Sequence, residues 1–126
     1  MHVLLVGHGG REAALAWRLA RSPGLTALTV TGDNPGWPGI AEVRPAAGVD
    51  AVVALAREAG AGLVVVGPEA PLADGLADAL AQADIPCFGP GREAARLETS
   101  KAFAKAIMGR AGVPTAGFLE VDREDP

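Results

Sequence analysis

The opening twenty-two residues constrain the fold more tightly than any other stretch. The apolar run Val3-Leu4-Leu5-Val6 gives way to Gly7-His8-Gly9-Gly10, and Arg11-Glu12 then leads into the Ala- and Leu-rich stretch Ala13 to Ala20. An apolar run, a glycine turn and a helix-favouring run, in that order, predict strand, tight turn and helix. Glycine suits a backbone that must bend sharply and come close to something. The free N–H groups and positive dipole end of the helix then face that space, a ready anion site.

The same alternation continues. Ser22-Pro23-Gly24 stops the helix, and Leu25 to Thr31 has the β-branched and apolar character of a second strand. The loop Gly32-Asp33-Asn34-Pro35-Gly36-Trp37-Pro38-Gly39 precedes a short third strand over Ile40 to Val43. Asp50 is placed to cap a helix whose Val52, Leu55, Ala56 and Ala59 share one face before Gly60 ends it. Leu63-Val64-Val65-Val66 fits a strand covered on both faces. After Gly67-Pro68-Glu69 a single helix is expected, with Leu72, Leu76 and Leu80 as its buried stripe. Cys87-Phe88 reads as a fifth strand, Arg92 to Leu97 as helical, and Thr99-Ser100 as the cap of a last helix ending near Gly112.

Strands and helices at this spacing predict an α/β fold, a Rossmann-like, doubly wound parallel sheet of about five strands. Ligands bind such sheets at the carboxyl ends of the strands, near the point where strand order reverses. The loops at 7–12, 32–39, 67–71 and 88–91 belong to that rim. Thr115-Ala116-Gly117-Phe118-Leu119 looks like a further strand with no partner. Residues 1–114 are therefore read as one domain, and 115–126 as the start of a connection into another.

A chain of 126 residues accommodates one such core. Eleven Lys and Arg against fifteen Asp and Glu, with no basic run, argue against broad nucleic-acid binding but leave room for a small anion at one local site. The single Cys87 lies in Ile85-Pro86-Cys87-Phe88, where core packing is the better account than reactivity. One thiol forms no internal disulfide, which agrees with a reducing compartment. No basic segment precedes the first apolar run, and no run approaches the roughly 20 residues of a membrane helix. The expectation is a soluble, cytoplasmic protein that does not engage a membrane.

Several residues of the rim carry two readings. A dinucleotide fingerprint wants a third glycine at position 12, where Glu12 stands; Asp33 remains able to hold a ribose hydroxyl, so an NAD(P)-binding dehydrogenase domain stays as an alternative. Arg11 is placed to fork onto a phosphomonoester, or to share a solvated stripe with Arg18 and Ser22. Glu12 suits a helix start with or without a ligand. Asn34, the only asparagine, is explained by turn chemistry or by contact with a ligand. Glu69 either stabilises a first helical turn or offers a carboxylate to sugar hydroxyls or an amine. Lys101 and Lys105, the only lysines, mark a wet helix face or meet a nucleotide phosphate. His2 and His8 have no neighbours at metal-ligand spacing, and no nucleophile-base pair is visible, so neither a metal site nor a catalytic residue is expected here.

Four ordered strings sharpen this reading. Gly7-His8-Gly9-Gly10-Arg11-Glu12-Ala13-Ala14-Leu15-Ala16-Trp17, Val66-Gly67-Pro68-Glu69-Ala70-Pro71-Leu72, Phe88-Gly89-Pro90 and Leu97-Glu98-Thr99-Ser100-Lys101-Ala102-Phe103 resemble segments of the phosphoribosylamine-glycine ligase family. The resemblance implies an ATP-grasp enzyme of purine biosynthesis that joins glycine to 5-phosphoribosylamine as ATP becomes ADP and phosphate. In that chemistry ATP activates the glycine carboxylate as an acyl phosphate, the amine attacks it, and Mg²⁺ offsets the phosphate charge. This chain resembles the N-terminal, pre-ATP-grasp part, incomplete for catalysis alone and expected to hold neither ATP nor Mg²⁺ by itself. A freestanding phosphosugar-binding module is the third reading. By resemblance Gly9, Gly10, Arg11, Glu12, Asn34, Gly67, Pro68 and Glu69 lie at the phosphoribosylamine end and Lys101 near ATP, with the remaining domains of the enzyme as partners. The family's pattern has His where Ala13 stands, and PGNxGT where this chain has Gly32-Asp33-Asn34-Pro35-Gly36-Trp37.

Overall fold

The computed structural model describes residues 1–37 and 39–121. Five strands, β1 (His2–Val6), β2 (Ala27–Val30), β3 (Glu42–Val43), β4 (Leu63–Val66) and β5 (Cys87–Phe88), form one sheet in the order β3-β2-β1-β4-β5. All its pairings are parallel, with Leu5 opposite both Val30 and Val65. The described residues also form six helices: α1 (Gly10–Leu19), α2 (Val49–Glu58), α3 (Glu69–Ala73), α4 (Leu76–Gln82), α5 (Arg92–Thr99) and α6 (Lys101–Ala111).

Side chains alternate across a strand, so the unbroken apolar runs of β1 and β4 feed two cores at once. On one face Val3, Leu5, Leu28, Val30 and Val65 pack with Ala16 of α1 and with Trp37 from the loop after β2. On the other, Leu4, Val6, Val64 and Val66 meet Val52, Leu55 and Ala56 of α2, Leu72 of α3, Leu76, Ala77 and Leu80 of α4, and Ala95 of α5. Helices on both faces make the sheet doubly wound, as expected. Each Leu or Val so covered contributes roughly 1.5–3 kcal/mol relative to exposure. Cys87 is a half-buried free thiol packed against the second core, and burial pushes its pKa up.

Four local expectations are corrected. The third strand is only Glu42–Val43, because Ile40 and Ala41 instead turn around Trp37, both amides donating to its carbonyl. Gly48, not Asp50, is the N-cap of α2, and Asp50 lies in the first turn. The single helix expected after Glu69 is two, α3 and α4, separated at Gly75 with its left-handed φ of 93°. Thr115 to Leu119 is exposed and forms no strand; Lys105 Nζ donates to Thr115 Oγ1 at 2.6 Å and to the Ala116 carbonyl at 2.9 Å. Of the connection expected over 115–126, residues 122–126 lie outside the described ones.

No helix among the described residues is long and apolar enough to cross a membrane.

Candidate functional site

Strand order reverses between β1 and β4: α1 carries the chain from β1 toward β2, while α3 and α4 carry it from β4 toward β5 on the opposite face. The segments 7–10 and 67–69 therefore flank a crevice at the carboxyl ends of the two central strands.

Glu12 joins the two segments. It is the third residue of α1 and only 4% exposed. Its Oε2 accepts the Gly9 N–H at 2.6 Å, one half of a capping box whose serine or threonine is replaced by glycine. The body of the side chain fills the space that three glycines leave open. A Cβ on Gly7 would stand 2.9 Å from Glu12 Cγ, one on Gly9 2.9 Å from Oε2, and one on Gly67 2.6 Å from Cδ. Oε1 is buried with no hydrogen-bond donor among the described residues. A third glycine at position 12 would let the helix pack closely on the strand, whereas here the buried Glu12 side chain fills that space, so the arrangement disfavours the dinucleotide reading.

Arg11 is half exposed and lies across the crevice. Its guanidinium donates to the Gly67 carbonyl and stands 3.8 Å from Glu12 Oε1 and 3.9 Å from Glu69 Oε2. It thus spans the two segments and does not simply line a solvated stripe with Arg18, whose guanidinium pairs with Ser22 Oγ at 3.3 Å.

Asn34 brings in the loop after β2. Its Nδ2 donates to the His8 carbonyl at 2.7 Å, and its Oδ1 accepts the Gly36 N–H at 2.8 Å. Trp37, 1% exposed, anchors that loop in the core, with Nε1 donating to the Gly32 carbonyl at 2.8 Å. A Cβ on Gly36 would lie 3.5 Å from Ala13 Cβ, so the small side chain at 13 leaves this loop room to lie over α1. Thr31 Oγ1 accepts the Gly7 N–H at 3.1 Å and fixes the turn from below.

The structure thus brings together Gly9, Gly10, Arg11, Glu12, Asn34, Gly67, Pro68 and Glu69, with Glu12 turned inward and the others nearer the surface. Lys101 stands apart, exposed at the start of α6, a helix that packs on α5. Sequence reasoning missed the segment Ala46 to Val49. It closes a 360 Å³ cleft on the other side of Gly7 and His8, walled also by Val6, Val52, Pro68, Pro71 and Asp74. Gly48, with φ of 82°, was the one local signal that this stretch turns sharply.

A glycine crevice at the switch point of an open parallel sheet defines this chain as a ligand-binding domain of the doubly wound α/β class. The family described as "Phosphoribosylglycinamide synthetase, N domain" matches residues 1–98, and the chain belongs to it. It is 55% identical over 118 residues to the phosphoribosylamine–glycine ligase of Caulobacter vibrioides, covering 92% of this chain and 28% of that protein. With the Mycobacterium tuberculosis ligase the identity is 52% over 124 residues, covering 97% and 29%. The chain therefore spans less than a third of the length of these relatives.

Among solved structures, a single-chain, multi-domain long-chain acyl-CoA carboxylase matches with a TM-score of 0.71 and 26% identity, over 97% of this chain and 14% of that one. The biotin carboxylase domain of Hydrogenobacter thermophilus 2-oxoglutarate carboxylase, in complex with MgADP and bicarbonate, matches at 0.67 and 26%, over 90% and 28%.

Proposed function

We propose that this chain is the substrate-binding N-terminal part of a cytoplasmic, ATP-dependent ligase that joins glycine to 5-phosphoribosylamine in purine biosynthesis. In this reading residues 115–126 lead into an ATP-grasp region, and the remaining domains of the same enzyme are its partners. The observation that carries it is the crevice between α1 and α3, where Glu12 and Arg11 tie the two glycine segments together. Family membership supplies the substrate class, since the relatives are named for phosphoribosylamine and glycine.

In this reading the ATP and magnesium that such a ligase uses are held by its later domains. Among the described residues no group of three His, Cys, Asp or Glu is placed to hold a metal ion, and Lys101 is exposed at the start of α6. The work assigned to this chain is binding and orientation. Backbone N–H groups at the start of α1 and the Glu69 carboxylate are offered to a sugar, while the buried braces keep both segments from drifting.

Glu69 tests the assignment. Its side chain is 44% exposed and it begins α3, and its ion pair with Arg11 is long, so its removal costs the fold less than about 1 kcal/mol. A hydrogen bond from a sugar hydroxyl or amine to a charged carboxylate is worth about 1.5–3 kcal/mol. Glu69→Ala is thus expected to weaken ribose 5-phosphate binding about tenfold or more by calorimetry, with an unchanged circular dichroism spectrum. Unchanged affinity would leave Glu69 with its helix-start role alone.

A further inference from the structure

The charges around the crevice discriminate between the two ends of a phosphorylated sugar amine. Arg11 is the cation that spans the two segments, and it faces two carboxylates, Glu12 at 3.8 Å and Glu69 at 3.9 Å. The start of α1, the natural place for an anion, already holds one: Glu12 Oε2 occupies the Gly9 N–H. Glu12 Oε1 is buried, accepts no hydrogen bond among the described residues and so keeps unused acceptor capacity beside Gly67. A hydroxyl or ammonium group entering here supplies a proton to an acceptor-rich rim. A phosphate brings more acceptors and negative charge next to a carboxylate that low exposure leaves poorly screened.

We infer that Glu12 is a specificity-determining residue: it denies the α1 N-terminus to phosphate, so that the crevice receives the amine and hydroxyl end of the sugar and the phosphoryl group points away from it. This rests on the phosphoribosylamine reading of the site. It also changes the role of Arg11, which is no phosphate clamp but a strut whose charge is already offset by its two neighbours.

The test is an amide chemical-shift titration of the ¹⁵N-labelled 126-residue chain with three probes: ribose, ribose 5-phosphate and inorganic phosphate. Ribose and ribose 5-phosphate are expected to shift the same amides, Gly9 to Arg11 and Gly67 to Glu69, saturably, and inorganic phosphate to leave them in place. In Glu12→Gln, which keeps shape and removes charge, inorganic phosphate is expected to bind at Gly10 and Arg11 at least about tenfold more tightly than in the wild type. Saturable phosphate shifts at Gly10 and Arg11 in the wild-type chain, with none from ribose, would overturn the inference while leaving a phosphoribosyl site standing. Silence toward all three probes would overturn both. The wild-type titrations decide even where the variant does not fold.

Discussion

Gly7→Ala is expected to cost the fold about 3 kcal/mol or more, whether or not a ligand is present. Gly7 has φ of 112°, a conformation L-residues rarely adopt, and forcing alanine into it costs on the order of 1–3 kcal/mol. The new methyl would also stand 2.8 Å from the Pro68 ring and 2.9 Å from Glu12 Cγ. Neither neighbour is a free chain end: the proline ring is fixed, and Glu12 is held through its bond to Gly9. Overpacking of this kind adds about 1–3 kcal/mol. Gly10→Ala is the matched control, since a Cβ there meets nothing within 4 Å and the residue begins a helix. Urea unfolding followed by circular dichroism should place Gly10→Ala within about 0.5 kcal/mol of the wild type. Equal stability of the two variants would contradict the packing described between the glycine segments.

Trp37→Ala is expected to be comparably severe, about 3–5 kcal/mol, because it empties a large volume from a fully buried position. Trp37 closes the core on the α1 face, where the loop after β2 replaces a second helix. It also satisfies the Gly32 carbonyl, whereas Trp37→Phe keeps most of the volume and gives up that bond, costing about 1–3 kcal/mol. The consequence reaches the crevice, since the loop that Trp37 anchors carries Asn34 to the His8 carbonyl. Weaker ligand binding should therefore accompany the loss of stability. A change below about 1 kcal/mol for Trp37→Ala would mean that this loop does not close the core.

The sequence conveyed the architecture wherever local signals and burial agreed. Val3 to Val6 and Leu63 to Val66 are apolar on both faces because both faces are covered, so their runs were readable as central strands. The rim residues were readable because glycine marks close approach: Gly7, Gly9 and Gly67 all make room for one side chain. That Glu12 is this side chain was not readable. A glutamate three residues beyond a turn looks the same whether it caps in solvent or is sealed in by Gly67, from a distant part of the sequence.

Long-range packing also decided the details that differed. Leu72, Leu76 and Leu80 keep helical phase across Gly75, which hides the break between α3 and α4. The break is set by Arg92 of α5, whose guanidinium nitrogen would lie 2.7 Å from a Cβ at Gly75 and which donates to the Asp74 carbonyl. Thr115 to Leu119 has strand composition, but pairing needs a neighbouring edge, and this stretch is tied to α6 through Lys105 instead. The cleft lined by Ala46 to Val49 is made by the crossover from β3 to β4 over the sheet, a juxtaposition that no local pattern encodes.

The central claim is that the crevice between the two glycine segments binds a phosphoribosyl ligand. The most direct measurement is a pair of titrations of the ¹⁵N-labelled chain, one with ribose 5-phosphate and one with NADH. The predicted result is saturable movement of the amides of Gly9 to Arg11 and Gly67 to Glu69 with ribose 5-phosphate and not with NADH. Movement of those amides with NADH, and none with ribose 5-phosphate, would contradict the account.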